Sequence, residues 1–114
     1  MFGGADDDIL IGGKGSDRLN GGRGDDTLTG DDGRDIFIFS RNSGEDRITD
    51  FNNNKERIDL NAFAVGNFKQ LKKSGALVAD GRDSIINLDK LGGDGAIYVD
   101  DMQLKDWDGR DFFF

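Results

Sequence analysis

The chain contains no cysteine, no histidine and no proline. Without cysteine, no disulfide can staple the fold. Without histidine, the usual general base, the His-centred triads and nearly all ordinary zinc sites are excluded. Soft transition metals find no ligands, whereas hard, oxygen-seeking cations find many. The lack of proline and cysteine also removes slow isomerisation and oxidation as delays to folding. Apolar residues are scarce at 35%, with a mean hydropathy of −0.59. A 114-residue domain of this make-up has a thin core, and such chains usually need a metal, disulfides or oligomerisation. No apolar run approaches the roughly 18 residues of a membrane-spanning helix. The opening MFGGADDD has neither the basic nor the apolar region of a secretory signal peptide.

What the chain has in excess is glycine, 18 residues, and acid: 23 Asp and Glu against 15 Lys and Arg, a net charge of −8. That balance argues against nucleic acid and anionic membrane as partners. The excess is uneven. Residues 1–38 hold nine Asp, no Glu and four basic residues, a net of −5, with ten of the glycines. Residues 39–114 carry a net of only −3 over twice the length. Two regions are therefore expected, meeting near Ile38.

Four nonapeptides tile the first region without gaps: 3–11 (GGADDDILI), 12–20 (GGKGSDRLN), 21–29 (GGRGDDTLT) and 30–38 (GDDGRDIFI). Position six is always Asp: Asp8, Asp17, Asp26 and Asp35. Position eight is always large and apolar: Leu10, Leu19, Leu28 and Phe37. A Gly-rich composition alone would also fit a flexible linker, but that gives no reason for a fixed Asp and a fixed apolar residue in every repeat. The pattern fades beyond Ile38. Residues 41–49 (RNSGEDRIT) keep Gly44, Asp46 and Ile48 at positions four, six and eight. Residues 51–59 (FNNNKERID) keep Asn52 and Asn54, Glu56 and Ile58 at positions two and four, six and eight.

This G-G-x-G-x-D-x-U-x tiling resembles the RTX (repeats-in-toxin) family of calcium-binding parallel β-rolls. The residues have a physical reading of their own. Glycine reaches positive φ without steric cost, so positions one, two and four can build a tight six-residue turn, with Asp tolerated there at Asp6 and Asp31. The remaining x-U-x is a very short strand with one side chain inward. Two repeats make one coil. Repeats one, three and five then stack in one sheet and two, four and six in the other, with Leu10 and Leu28 facing Leu19 and Phe37. One inward residue per repeat is a thin core, and the stacked turns crowd their Asp carboxylates. A divalent cation between turns relieves both problems, and calcium takes six to eight oxygens in flexible geometry. The glycines leave carbonyls bare, and the Asp supplies charge. Strand positions seven and nine face outward. The pairs Ile9/Ile11 and Ile36/Ile38 therefore call for cover from the C-terminal half, an upstream domain or a second copy.

The expected fold class is all-β: a right-handed parallel β-roll over residues 1–60, regular in 3–38 and degenerate in 41–59, followed by a small C-terminal β cap over 61–114 with one short helix. Within the cap, GALVADG and DSIINLDK read as a hairpin turning at Asp80-Gly81. GAIYVDDM reads as a further strand, and NFKQLKKSG as the helix, with Phe68 and Leu71 at helical spacing before Gly75. Phe39, Phe51, Phe63, Phe68 and Trp107 read as ordinary core.

The resemblance extends to ITDF (48–51), RIDLNAF (57–63) and the closing DFFF (111–114), which are similar to RTX C-terminal modules. Such modules leave the cell by type I secretion with an uncleaved C-terminal signal. The resemblance also implies the ligands. In each site the carbonyls at positions two and four and the Asp of one loop meet the carbonyls at positions one and three and the Asp of the loop one coil later. Carried over, the first site uses Gly4, Asp6 and Asp8 with Gly21, Arg23 and Asp26. The second uses Gly13, Gly15 and Asp17 with Gly30, Asp32 and Asp35. A third would use Gly22, Gly24 and Asp26 with Arg41, Ser43 and Asp46, and a fourth Asp31, Gly33 and Asp35 with Phe51, Asn53 and Glu56. At least two calcium ions are expected, with a third and fourth in the degenerate coils.

The function implied is a non-enzymatic, secreted, extracellular calcium-binding module that folds outside the cell. It would carry the export signal of a larger protein, whose upstream domain and type I secretion machinery are its partners. Repeats that begin at residue 3 are expected to continue a longer chain. Neither nucleic acid nor membrane insertion is expected. The alternative is a polysaccharide-binding module, since similar RTX modules accompany alginate epimerases. Its candidate basic residues are Arg18, Arg47 and Arg57. A free-standing enzyme is a third reading. Carboxylates are plentiful enough for glycosidase-type chemistry, but no pair has a recognisable setting.

Overall fold

Each x-U-x triplet is confined between glycine-rich turns and forms a strand of two or three residues. In the computed structural model, which describes residues 1–51, 55–63 and 65–114, these strands are β1 (Ile9–Ile11), β2 (Arg18–Leu19), β3 (Thr27–Thr29) and β4 (Ile36–Ile38). The degenerate repeats supply β5 (Gly44–Ile48) and β6 (Arg57–Asp59). All pair in parallel, β1 with β3 and β3 with β5 in one sheet, β2 with β4 and β4 with β6 in the other. This is the alternation that the tiling predicts, and it produces a parallel β-roll. The register stacks Leu10 on Leu28 on Ile48, and Leu19 on Phe37 on Ile58. All six are buried. The extra residues Phe39 and Ser40 do not break the register. Phe39 is buried and donates its N–H to the Asp59 carbonyl at 3.3 Å, and the Ser40 N–H is taken by Ser43 Oγ at 2.8 Å.

The C-terminal half continues both sheets. The helix α1 (Phe68–Lys73) is capped by Asn67, whose side chain accepts the Gln70 N–H, and buries Leu71. It is followed by the antiparallel hairpin of β7 (Leu77–Asp80) and β8 (Asp83–Asn87). The hairpin's two loop residues are Gly81 and Arg82, one position later than the sequence predicts. The shift puts Gly81 (φ 63°) where positive φ is needed. The next strand, β9 (Gly95–Val99), pairs antiparallel with β8 and parallel with β5. The closing DFFF contributes β10 (Phe112–Phe113), parallel to β6. The six-stranded sheet therefore runs β1-β3-β5-β9-β8-β7, and the four-stranded one β10-β6-β4-β2. Val99 stacks on Ile48 and Phe112 on Ile58. The inward columns of the roll thus pass without a gap into one hydrophobic cluster.

Aromatic residues close the far end. The Trp107 ring lies 5.2 Å from Phe51 and 5.1 Å from Phe112, and its Nε1 donates to Ser84 Oγ at 3.0 Å. Phe39, Phe51, Phe63 and Trp107 are core, as the sequence indicates, with Phe68 packed at the margin. The outward isoleucines differ from one another. Ile36 and Ile38 are half-buried, but Ile9 and Ile11 stay 76% and 55% exposed. The C-terminal half lies at the other end of the sheet and does not reach them.

Candidate metal centre

The glycines of the turns do two different jobs. At positions two and four they supply left-handed backbone: Gly4, Gly13, Gly15, Gly22, Gly24, Gly33 and Gly44 have φ between 79° and 107°, and Asp31 takes the same region at φ 61°. Position one corrects the sequence reading. Gly3, Gly12, Gly21 and Gly30 are not left-handed, and neither is Asp6. Position one needs glycine for space. A Cβ on Gly3 would lie 2.6 Å from both Asp8 Oδ2 and the Gly21 carbonyl oxygen. One on Gly12 would lie 2.9 Å from both Asp17 Oδ2 and the Gly30 oxygen. On Gly21 and Gly30 it would meet Asp26 Oδ2 at 2.2 Å and Asp35 Oδ2 at 2.5 Å. At Gly3 and Gly12, position one is therefore a cradle in which the loop's own carboxylate meets a carbonyl of the next coil, while at Gly21 and Gly30 it is filled by carboxylates.

Carbonyls of the earlier coil point the other way. The Gly4 and Gly15 oxygens each lie 2.2 Å from where a Cβ on Gly22 or Gly33 would be. The Asp6 oxygen lies 2.8 Å from that position on Gly24, and the Gly24 oxygen 2.5 Å from it on Gly44. Some of this capacity is already engaged, since Gly4 O accepts the Arg23 N–H at 3.0 Å.

The position-six carboxylates form a ladder. Asp26 Oδ1 accepts the Asp8 N–H at 2.7 Å, Asp35 Oδ1 that of Asp17 at 2.8 Å, and Asp46 Oδ1 that of Asp26 at 2.8 Å. The second oxygens of Asp8, Asp17, Asp26 and Asp35 are buried without a hydrogen-bond partner. Asp26, Asp35 and Asp46 are 1–2% exposed. Burial pushes the Asp26 and Asp35 carboxyls up, and neighbouring Asp8 and Asp17 add to the rise. Asp46 is pushed up to about 8, chiefly by burial, with the Asp26 charge adding. Among the described residues, no group of three acidic side chains converges on a point. The cradles instead combine carboxylates with carbonyls.

Of the residues named from the sequence for the first two sites, the structure brings together Asp8 with Gly21 and Asp26, and Asp17 with Gly30 and Asp35. The third is only half preserved. Asp46 keeps its rung, but the Arg41 carbonyl accepts the Asp94 N–H at 2.8 Å, and Ser43 turns back on Ser40. In the fourth, Glu56 is buried and its Oε2 lies 3.0 Å from the Cβ position of Gly30, while Asn53 falls outside the described residues. The odd column ends at β9, where Ile97 pairs with Asp46 and stands where a further Asp would be. Sequence reasoning missed the acids beside the ladder. Asp7 accepts the Asp25 N–H at 2.7 Å, Asp25 accepts that of Glu45 at 2.8 Å, and Asp50 holds the N–H groups of Gly30 and Asp31 at 2.9 and 2.7 Å. Acid at position five of alternate repeats was visible in the tiling.

The profile of the RTX calcium-binding nonapeptide repeat matches residues 2–37 in four copies. Residues 2–37 are RTX repeats. In structure, the chain is similar to the AlgE6R3 subunit of the Azotobacter vinelandii mannuronan C5-epimerase, at TM-score 0.61 and 23% identity over 98% of this chain and 80% of that one. It is also similar to the extracellular lipase LipA of Serratia marcescens, at TM-score 0.71 and 20% identity over 98% of this chain and 20% of that one. The chain thus spans about a fifth of the lipase. No curated protein matches its sequence. RTX repeats bind calcium, and the residues here fit that ion: buried carboxylate oxygens without partners, in cradles shared with bare carbonyls and too small for a Cβ, are a hard-cation donor set.

The raised carboxyl pKa values fix a sign. A carboxyl titrating higher folded than unfolded makes the folded state bind more protons, so the metal-free fold loses stability as pH rises from about 4 through about 8. Metal-stripped protein should therefore show more β-structure by circular dichroism at pH 5 than at pH 8, whereas calcium affinity should fall on acidification. A metal-free spectrum that improves towards pH 8 would contradict the buried ladder.

Proposed function

We propose that this chain is a non-enzymatic calcium-dependent folding and export module of a larger secreted protein, with a roll over residues 1–60 and a cap over 61–114. The observation that carries it is the stack of buried Asp oxygens at Asp8, Asp17, Asp26 and Asp35, each without a partner. Asp8, Asp17, Asp26, Asp35 and Asp46 would hold calcium together with the loop carbonyls, and the ion's charge would offset their mutual repulsion. Where calcium is scarce, these carboxylates repel and the chain stays open enough to be threaded through a secretion channel. In extracellular calcium, which suits sites of about 10⁻⁴–10⁻³ M, binding supplies the free energy of folding. The similarity to an extracellular lipase supports secretion. Far-UV circular dichroism is expected to show a largely disordered chain in excess chelator and a cooperative gain of β-structure at millimolar calcium. An unchanged β spectrum in chelator defeats the switch.

The export reading rests on the resemblance of DFFF to type I secretion signals. Because Phe112 is buried against Trp107 and Phe68, the segment would be exposed as a signal only before folding. Deleting residues 111–114 should lower secretion through a co-expressed type I transporter. Undiminished secretion leaves these residues with their structural role alone.

A second reading, polysaccharide binding, is supported by a groove of about 400 Å³ on the four-stranded sheet. It is lined by the basic residues Arg34, Lys55, Arg57 and Arg110, by the acids Asp35 and Glu56, and by Ile36 and Phe113, with the Arg57 guanidinium 4.9 Å over the Phe113 ring. Of the basic residues expected from sequence, only Arg57 lies there. Arg47 is paired with Asp100 on the other sheet. A polyuronate should shift the amide resonances of this groove in the calcium-loaded protein, and the absence of any shift at millimolar sugar rejects it.

A further inference from the structure

The two columns of turns differ at position five. In the odd column it is Asp7, Asp25 and Glu45, and in the even column Ser16, Arg34 and Lys55. The odd acids are not merely solvated. Asp7 Oδ1 accepts the N–H of Asp25, and Asp25 Oδ1 that of Glu45. They form a second ladder beside the position-six one and run opposite to it, since at position six the later coil's carboxylate accepts from the earlier coil.

An amide N–H and the carbonyl of the same peptide unit point in opposite directions. The N–H of Asp25 belongs to the peptide whose carbonyl is Gly24 O. Holding that N–H therefore fixes the direction of the Gly24 oxygen, a donor on the third site together with Asp26 and Asp46. Space agrees with this arrangement. A Cβ on Gly24 would meet the Asp6 oxygen at 2.8 Å and Asp7 Oδ1 at 2.9 Å, and one on Gly44 would meet Gly24 O at 2.5 Å and Asp25 Oδ1 at 3.0 Å. In the even column, the three atoms nearest a Cβ on Gly33 are all backbone atoms of Gly15. Among the described position-four glycines, only Gly24 and Gly44 of the odd loops have a carboxylate wedged against them.

We propose that Asp7 is a positioning residue for calcium, acting one coil away from its own position: it orients the Gly24 carbonyl and so strengthens the Asp26–Asp46 site. The inference rests on the calcium reading above. It makes the third site, where the Arg41 carbonyl already accepts the Asp94 N–H, depend on Asp7 for orientation of the Gly24 donor. The Asp7 charge also reaches Asp26, and that of Asp25 reaches Asp46, where each adds to the rise in the carboxyl's titration.

The test is a calcium titration of the full chain followed by backbone-amide NMR, with Asp7→Ala, Asp7→Asn and the even-column control Ser16→Ala. Loss of one hydrogen bond to a charged acceptor should raise the calcium midpoint of the amides in residues 41–46 about fivefold or more in Asp7→Ala. Asp7→Asn keeps an acceptor oxygen and should stay within about twofold of wild type. Ser16→Ala should shift nothing. Failure of Asp7→Ala to fold, with folding restored in Asp7→Asn, also supports the role. Equal behaviour of Asp7→Ala and Ser16→Ala overturns it, as does an Asp7→Asn as impaired as Asp7→Ala, which would make the effect one of charge alone. A wild-type chain with no response to calcium overturns the calcium reading itself and this inference with it.

Discussion

Everything in this protein depends on stacked carboxylates that the fold buries. Parallel strands lie about 4.8 Å apart, so the position-six acids of successive coils are held at about that spacing. At an effective dielectric near 20, two such charges repel by about 3 kcal/mol. The one inward side chain that each repeat contributes stabilises by about 1.5–3 kcal/mol. When the acids are ionised, that repulsion offsets the burial, a cost that an opposite charge beside Asp8, Asp17, Asp26, Asp35 and Asp46 would remove. The local hydrogen bonds do not supply that charge. Each rung gives a carboxylate one amide and leaves the Oδ2 of Asp8, Asp17, Asp26 and Asp35 without a partner.

The rest of the loop is built around that need. Position one is glycine because a Cβ there would collide with the loop's own carboxylate and, at Gly3 and Gly12, with a carbonyl of the next coil as well. The glycines at positions two and four, and Asp31, are left-handed, and carbonyls at Gly4, Gly15 and Gly24 lie against the next coil. The stack must also end without leaving an acid beside bare backbone. Ile97 does this in the odd column, taking the register place of a further Asp while Val99 continues the inward column. In the even column, β10 covers β6 with Phe112, and Trp107 packs across the junction. At the opposite end β1 is an edge strand with Ile9 and Ile11 bare, and residues 1–3 pair alongside β2 through Phe2 and Asn20.

On the calcium reading proposed above, binding and folding would be one event. The groups that would bind the ion are those that oppose the fold without it, and the C-terminal half shares its core with the roll instead of standing apart. The same arrangement makes the two faces of the roll unlike. Acids at position five line the odd turns, whereas Arg34 and Lys55 take that place in the even turns and join Arg57 and Arg110 around a groove.

The sequence by itself determined the roll. A nine-residue period with Asp at six and an apolar residue at eight fixes both the coil and its register, because each strand is so short that a one-residue slip would turn its only inward side chain outward. The period held even through RNSGEDRIT and FNNNKERID, where Asp46, Ile48 and Ile58 keep their places. It located α1, β7, β8 and β9 from ordinary helix and hairpin chemistry. Only the tertiary structure decided that position one is glycine for space and not for backbone angle, because the atom it must avoid lies on its own Asp and on a coil 18 residues away. It likewise decided that Arg41 turns its carbonyl to Asp94, that Ile97 ends the odd column, and that Asp7, Asp25 and Asp50 hold amides of other coils. Apart from the clash of position one with its own Asp, each of these is a contact between residues far apart in the chain. A local pattern carries backbone conformation and the direction of a side chain, but not the identity of what that side chain meets.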